Sequence, residues 1–419
     1  MVLILLYPRG ILVLVNIDKI PYVANNNTIS ERTTHRIAEV VQDYLTDIDA
    51  FYIEFFSGRS LAKSVIDIRA YLKPDILRDI QAGRHYLVLH NIHEAFYDIG
   101  KGIVEFCNHF DIPGEQVIVI TGNHGLFESI DNISKRRNFT TPRVIACDVF
   151  EIQACNQLDF MMPEHLNRQR ALRDWTKFHS FPERRTHRYL NLNRRWREHR
   201  VMLVSALIAH GLHTAGLVSL GMADDNQLPK MPEIITNSEY SWPSKHDIAE
   251  KIRSNLNNII DTLPLYVDTE DLVTNRAMPE LSDIDLYNST GISVVSETTF
   301  FGDPGARDFA QPGVFLSEKA FKPIMHLHPW IMVSQPYTQS VMKFKGYETF
   351  SEFWDESYDF EFDDEHRMYM IFNLISNILD WPEDKFEWVM RTSNCICVNN
   401  IEVLYSKYTE THKYFRELS

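Results

Sequence analysis

Ser317, Glu318, Lys319 and Lys322 fall within the run Val314-Phe315-Leu316-Ser317-Glu318-Lys319-Ala320-Phe321-Lys322-Pro323-Ile324. A serine at that place predicts a cap for a helix whose first turn carries one carboxylate and two ammonium groups. The free N–H groups and positive end of such a helix favour an anion. Lys319 and Lys322 add mobile positive charge, and Glu318 can accept hydrogen bonds from ribose hydroxyls. On charge pattern alone the same residues also describe a capped amphipathic helix with solvated Lys and Glu, the more economical reading of the two. Pro323 is expected near enough to the helix start to be tolerated.

Elements of recognisable period surround this run. Ile11 to Ile17 is a continuous apolar stretch of buried-strand type, and Glu31 to Leu45 has helical spacing. Tyr86 to His90 and Val117 to Thr121 read as further buried strands, with a helical stretch from Glu94 to Phe110 between them. Strands separated by helices of that length predict a parallel, doubly wound sheet, with ligands beyond the carboxyl ends of its strands. Two strands here end in polar clusters, His90-Asn91-Ile92-His93-Glu94 and Gly122-Asn123-His124. Residues 167–200 then hold 11 Lys and Arg against the three acids Asp174, Glu183 and Glu198, and look like an interdomain connection around Pro182. A second α/β pattern follows. Tyr189 to Leu192, Gly216 to Leu220, Gly291 to Ser296 and Trp330 to Ser334 are its strands; Trp196 to His210, Ile248 to Leu263 and Ser317 to Leu327 are its helices. The expected division is a Rossmann-like domain over 1–180, a ligand-binding Rossmann-like domain over 186–380 facing it across a cleft, and a helical segment over 381–419 packing back across both. Glu352 to Glu365 carries eight acids and no Lys or Arg, and is expected to be a solvated loop.

The Ser-Glu-Lys triplet, the Phe321-Lys322-Pro323-Ile324 that follows and the apolar strand Trp330-Ile331-Met332-Val333 resemble the donor motif of fucosyltransferase-like GT-B glycosyltransferases. In that family the motif follows a strand with a Glu-Asn-Ser-type turn. The corresponding turn here is Ser293-Val294-Val295-Ser296-Glu297-Thr298, with Thr298 where Asn is usual. The family also places an Arg after the first strand of its second domain, and Arg194 and Arg195 stand after Tyr189-Leu190-Asn191-Leu192-Asn193. The stretch from Tyr189 to Asp359 is similar as well to uncharacterised phage and giant-virus glycosyltransferase-like proteins. The resemblance implies a Leloir-type enzyme moving a sugar from a nucleotide-diphosphate donor to a hydroxyl. Ser317, Glu318, Lys319, Lys322, Glu297, Arg194 and Arg195 would bind that donor, Glu318 on the ribose and the cations on the diphosphate. Fixed cations stabilise the charge that develops as a nucleoside diphosphate departs, so no metal is expected. An inverting transfer needs a base at the acceptor hydroxyl, for which Glu94 and His93 are the leading candidates and Asp98 and His124 the reserves. The expected acceptors are a hydroxymethylated pyrimidine in phage DNA or a glycan or protein. Two other readings stay open: a two-domain α/β enzyme of epimerase type on sugar nucleotides, and a non-catalytic glycan-binding or structural descendant.

Bulk properties narrow the field. A chain of 419 residues predicts two domains, and 44% hydrophobic with 24% charged residues are globular proportions. The net charge of -15 argues against a surface that coats nucleic acid. Neither a G-x-G-x-x-G nor a P-loop occurs, which disfavours a Rossmann dehydrogenase or an NTPase. The pairs Asp47/Asp49 and Asp283/Asp285 are the only hints of a metal-dependent alternative, and neither follows a convincing strand. Five cysteines without a CxxC pair fit a reducing compartment. Cys395 and Cys397 are two apart, which on a strand puts both on one face. The first eighteen residues are broken by Pro8, Arg9 and Gly10, so a strand rather than a membrane span or signal peptide is expected, in a cytoplasmic protein (a bacterial host's cytoplasm, if viral).

Overall fold

The computed structural model describes residues 50–54, 74–91, 99–146, 148, 150–151, 154, 158, 185–194, 196–221, 247–267, 284–301 and 313–418. The predicted strand over 11–17, the helix over 31–45, the basic connection at 182 and the pair Asp47/Asp49 lie outside them. The chain forms two compact units, one of Met1–Ile152, Asp303–Phe315 and Ser406–Ser419, the other of Gln153–Gly302 and Leu316–Tyr405.

The first unit is α/β. Its strands are β1 (Ala50–Glu54), β2 (Tyr86–Asn91), β3 (Val117–Thr121) and β5 (Arg143–Ala146), hydrogen-bonded in parallel in the order β1-β2-β3-β5. Helices α1 (Pro74–Gln81), α2 (Ile99–His109) and α3 (Leu126–Arg136) connect them. Every residue of β3 is buried, which is why Val117-Ile118-Val119-Ile120 reads as an unbroken apolar run rather than an alternation. Leu87, Leu89, Val117 and Val119, at the two-residue period of one sheet face, pack against Ile80 of α1, Val104 and Phe106 of α2 and Ile130 of α3. Just past β3 a short strand β4 (Asn123–His124) pairs antiparallel with β9 (Val314–Phe315), Asn123 opposite Phe315 and His124 opposite Val314. That approach requires glycine at 313, where a Cβ would stand 2.0 Å from Asn123 Oδ1.

The second unit holds β6 (His187–Asn191), β7 (Gly216–Val218), β8 (Thr290–Ser296) and β10 (Trp330–Val333), again all parallel, in the order β10-β8-β6-β7. The first strand of this sheet therefore has its successor β7 on one side and the later strands β8 and β10 on the other. The order reverses between β6 and β8. Helices α4 (Glu198–Ala209), α5 (Asp247–Ser254), α6 (Leu256–Thr262), α7 (Ile284–Asn288), α8 (Glu318–Met325), α9 (Thr338–Phe344), α10 (Asp364–Leu379) and α11 (Glu383–Leu418) complete the elements, α11 belonging to this unit up to Tyr405. Every residue of α4 from His199 to Ala209 is buried, as an all-round apolar helix must be.

Four expectations need correction here. The helix over 248–263 is two, broken at Asn255. Pro323 is the sixth residue of α8 rather than part of its first turn, and the helix runs only two residues beyond it. Cys395 and Cys397 lie on α11, not on a strand, so a two-residue step separates them: Cys395 is exposed and Cys397 buried. The acid-rich run over 352–365 is built structure, not a solvated loop. Glu356 is buried and accepts from Thr349 Oγ1 (2.6 Å) and the Phe350 N–H (2.9 Å). Asp359 is buried and takes the Gln339 and Ser340 N–H groups at the start of α9, and Asp363 caps α10. Among the described residues no helix is long and apolar enough to cross a membrane.

Candidate functional site

In a parallel sheet whose order reverses, the connections from the two strands flanking the reversal leave in opposite directions and open a crevice at their carboxyl ends. In the second unit those strands are β6 and β8. Asn191, Leu192, Asn193 and Arg194 leave the first; Glu297 and Thr298 leave the second.

Glu297 is the junction of this region. Its N–H donates to the Val333 carbonyl of β10 (3.0 Å), which prolongs the ladder by one residue. Its fully buried carboxylate accepts from the Ser317 N–H (3.1 Å), the Ser317 hydroxyl (2.5 Å) and the Thr298 N–H (2.9 Å). Its carbonyl accepts from Arg200 (3.0 Å) and from His199 Nε2 (2.9 Å). His199 is completely buried and Arg200 lies beside it, so its imidazole is held well below the usual histidine range; it is neutral and donates through Nε2. The Phe300 ring stacks on it at 5.6 Å.

The hydroxyl of Ser317 accepts from the Lys319 N–H (3.3 Å), so Ser317 caps α8 as its sequence position predicts. The Lys319 ammonium reaches Glu318 Oε1 (2.7 Å), Ser317 Oγ (3.0 Å) and Thr298 Oγ1 (3.5 Å). Burial works against the charge on Glu318, but Lys319 and, behind it, Lys322 outweigh it and hold the carboxyl below its ordinary value. Glu318, Lys319, Lys322 and Arg194 are all half-buried. Their side chains are partly desolvated yet reachable by a ligand.

Beneath them lies a polar ladder between strands. Asn191 Nδ2 donates to the Val294 carbonyl (2.6 Å) and Asn193 Nδ2 to Asn191 Oδ1 (2.6 Å), while the Asn193 N–H donates to Ser219 Oγ (3.0 Å). Arg367 of α10, fully buried, ties the strand ends from the other side. It donates to the carbonyls of Ser334 (3.1 Å), Phe300 (2.6 Å) and Glu361 (2.8 Å), pairs with Asp364 (2.5 Å) and stacks on Phe300 at 4.3 Å.

The sequence-based candidates thus divide. Ser317, Glu318, Lys319 and Glu297 form one bonded network, Lys322 lies one turn along α8, and Arg194 follows β6 at the other side of the strand reversal. The Glu297 carboxylate is occupied by Ser317 and Thr298, so its place is to hold the cap of α8. Arg195, His93 and Glu94 lie outside the described residues. No protein-family model, no curated protein and no solved structure matches the chain.

Sequence reasoning passed over His199, Arg200 and Arg367, and gave Thr298 and Asn193 no role. One local signal was present: His199 and Arg200 are polar residues opening a helix that is otherwise apolar on all sides. Arg367 gives no such signal, because apart from Asp364 its partners are backbone carbonyls up to 67 positions away.

Proposed function

We propose that the second unit binds the diphosphate of a sugar nucleotide beyond the carboxyl ends of β6 and β8, and that the chain is a glycosyltransferase of the GT-B type. The observation that carries the reading is the reversal of strand order between β6 and β8, with the Glu297–Ser317–Lys319 network at one side of it and Arg194 at the other. Phosphate oxygens take charge-assisted hydrogen bonds from ammonium and guanidinium groups, and these strengthen as the leaving diphosphate gains charge. Lys319, Lys322, Arg194 and Arg195 supply them, with Glu318 accepting from the ribose. The acceptor is a hydroxyl, on a modified pyrimidine of DNA or on a glycan or protein. The candidates for the base at that hydroxyl are Glu94 and His93, with Asp98 and His124 in reserve.

The test is a thermal-shift series with UDP-, GDP-, CMP- and ADP-sugars on the full chain. A ligand at a hundred times its dissociation constant stabilises by about 2.7 kcal/mol. Lys319→Ala and Arg194→Ala each weaken that ligand by about 10- to 100-fold, the loss of one charge-assisted contact of roughly 1.5–3 kcal/mol. No shift with any sugar nucleotide, or variants that bind like the parent, sinks the reading.

A further inference from the structure

Phe360 and Phe362 are 60% and 54% exposed, and a single exposed ring would be ordinary where a cluster is not. A third ring, the half-buried Tyr337, joins them. Its centroid lies 5.8 Å from that of Phe360 and 5.5 Å from that of Phe362, at interplanar angles of 80° and 74°. Edge against face is a favourable aromatic geometry, and the exposure of the two Phe residues leaves ring surface open to a partner. The cluster belongs to the second unit, where Tyr337 follows β10 and immediately precedes α9. Its mounting is rigid. Tyr337 lies in the left-handed region (φ 66°), which a bulky side chain adopts only under constraint. The Tyr337 N–H donates to the Asp359 carbonyl (2.7 Å), and the Asp359 carboxylate takes the Gln339 and Ser340 N–H groups (2.8 and 3.0 Å). Between the two Phe residues, the Glu361 N–H donates to the Tyr358 carbonyl (3.2 Å) and the Glu361 carbonyl accepts from Arg367 (2.8 Å).

The surroundings of these rings are acidic. Residues 352–365 hold eight acids and no Lys or Arg. Lys343 pairs with Glu356 and Arg367 with Asp364, while Glu352 and Asp355 are exposed. Aromatic faces carry negative potential of their own, so ring and carboxylate favour the same kind of visitor. A guanidinium stacks on an aromatic face and pairs its fork with a carboxylate at the same time. An apolar segment would instead cover these carboxylates without pairing them. We propose that the Tyr337–Phe360–Phe362 cluster is a docking surface for an arginine-bearing segment of a partner protein. Its guanidinium groups stack on the exposed Phe rings and pair with carboxylates of the 352–365 run. The inference does not depend on the glycosyltransferase reading.

Titration calorimetry on the full chain tests it, with synthetic Gly/Ser peptides of about twelve residues that carry Arg, Lys or Glu at every third position, and with maltohexaose. The Arg peptide is expected to bind, the Lys peptide to bind more weakly and the Glu peptide not at all, with affinity falling as salt rises. Phe360→Ser and Phe362→Ser each weaken the Arg peptide about 5- to 30-fold, with melting temperature retained because both rings are exposed. Tyr337→Phe binds like the parent. Tyr337→Gly relieves the left-handed backbone as it removes the ring, so it weakens binding without loss of melting temperature. Ring variants that bind the Arg peptide like the parent would show that charge alone attracts it, and overturn the assignment. So would an Arg peptide that does not bind the parent, or ring-dependent binding of maltohexaose in its place. A dimer in sedimentation velocity that dissociates in Phe360→Ser and Phe362→Ser would give the surface to a second copy of the chain and overturn it as well.

Discussion

A carboxylate that accepts three donors in a fully buried place is doing the work of a fastener, and Glu297 is such a group. Exchange for Gln keeps the shape but turns one oxygen into a donor, which must then face the Ser317 or the Thr298 N–H. Glu297→Gln should therefore lose roughly 1–3 kcal/mol of stability in a urea titration, with the sugar-nucleotide affinity falling alongside as α8 loses its fixed cap. An unchanged denaturation midpoint would mean that the cap is held by something else. Glu318 differs, because it is half-buried and its charge is sustained by neighbours. Burial opposes ionisation, Lys319 and Lys322 more than compensate, and the folded carboxyl sits below its unfolded value of 4.5. A group with a depressed folded value stabilises above its unfolded pKa and loses that contribution as the pH falls through the folded one. The gap in melting temperature between the parent and Glu318→Gln should be widest near neutral pH and close as the pH drops below about 4.5. A gap that widens in acid would reverse the sign and contradict the ion pair with Lys319. Of these roles only the cap by Ser317 could be read from spacing, since capping is local. The burial of Glu297 depends on a partner twenty positions away.

The elements were legible where one physical demand dominated. Strands buried on both faces need apolar runs, so β3 and β10 were visible as such and β2, β6 and β8 by their shorter apolar stretches, all with edges displaced by no more than two residues. The long apolar stretch of α4 could only be a buried helix. Tertiary structure decided the rest. Past β7 the Ser219 and Gly221 N–H groups go on donating to the Asn191 and Asn193 carbonyls, while Leu220 between them pairs on its other side with Leu265, a pairing that sequence alone does not announce. The acidic stretch over 352–365 looked like solvent-facing charge, yet Glu356, Asp359, Asp363 and Asp364 each satisfy backbone donors or a cation. Charge density is silent about which carboxylates will find partners. Arg367 shows the same dependence on context, and it gives a prediction about elements rather than residues. Its planar fork serves three carbonyls at the exits of β8, β10 and the 361 segment, and lysine has neither the reach nor the five fixed donors to replace it. Arg367→Lys and Arg367→Met should both destabilise by about 3–5 kcal/mol, since each strands buried carbonyl acceptors and Met also leaves the Asp364 carboxylate without its cation. Rescue by Lys to within about 1 kcal/mol would show that charge, not the fork, is what matters.

At the scale of the whole molecule, two electrostatic influences would compete for the diphosphate proposed as ligand. The chain carries a net charge of -15, which repels a polyanion at long range. Arg194, Lys319 and Lys322 attract it at short range, tempered by Glu318 and Glu297. Ionic strength separates the two. At about 0.15 M salt the Debye length is roughly 8 Å, so charges spread over the surface are already screened from a bound phosphate, whereas partly buried cations in contact with it are screened far less. The remaining salt-sensitive part of binding is then the local attraction, and it weakens as salt rises. The affinity for UDP or GDP, whichever binds, should fall steadily between about 0.05 and 0.5 M sodium chloride, and the dependence should flatten in Lys319→Ala. On the proposed reading these cations take the place of a divalent ion, so EDTA should leave turnover intact. Titration calorimetry at four salt concentrations checks the first expectation. Affinity that rises with salt would show that the diffuse negative charge governs the approach of the ligand, and the cationic site beyond β6 and β8 would have to be abandoned.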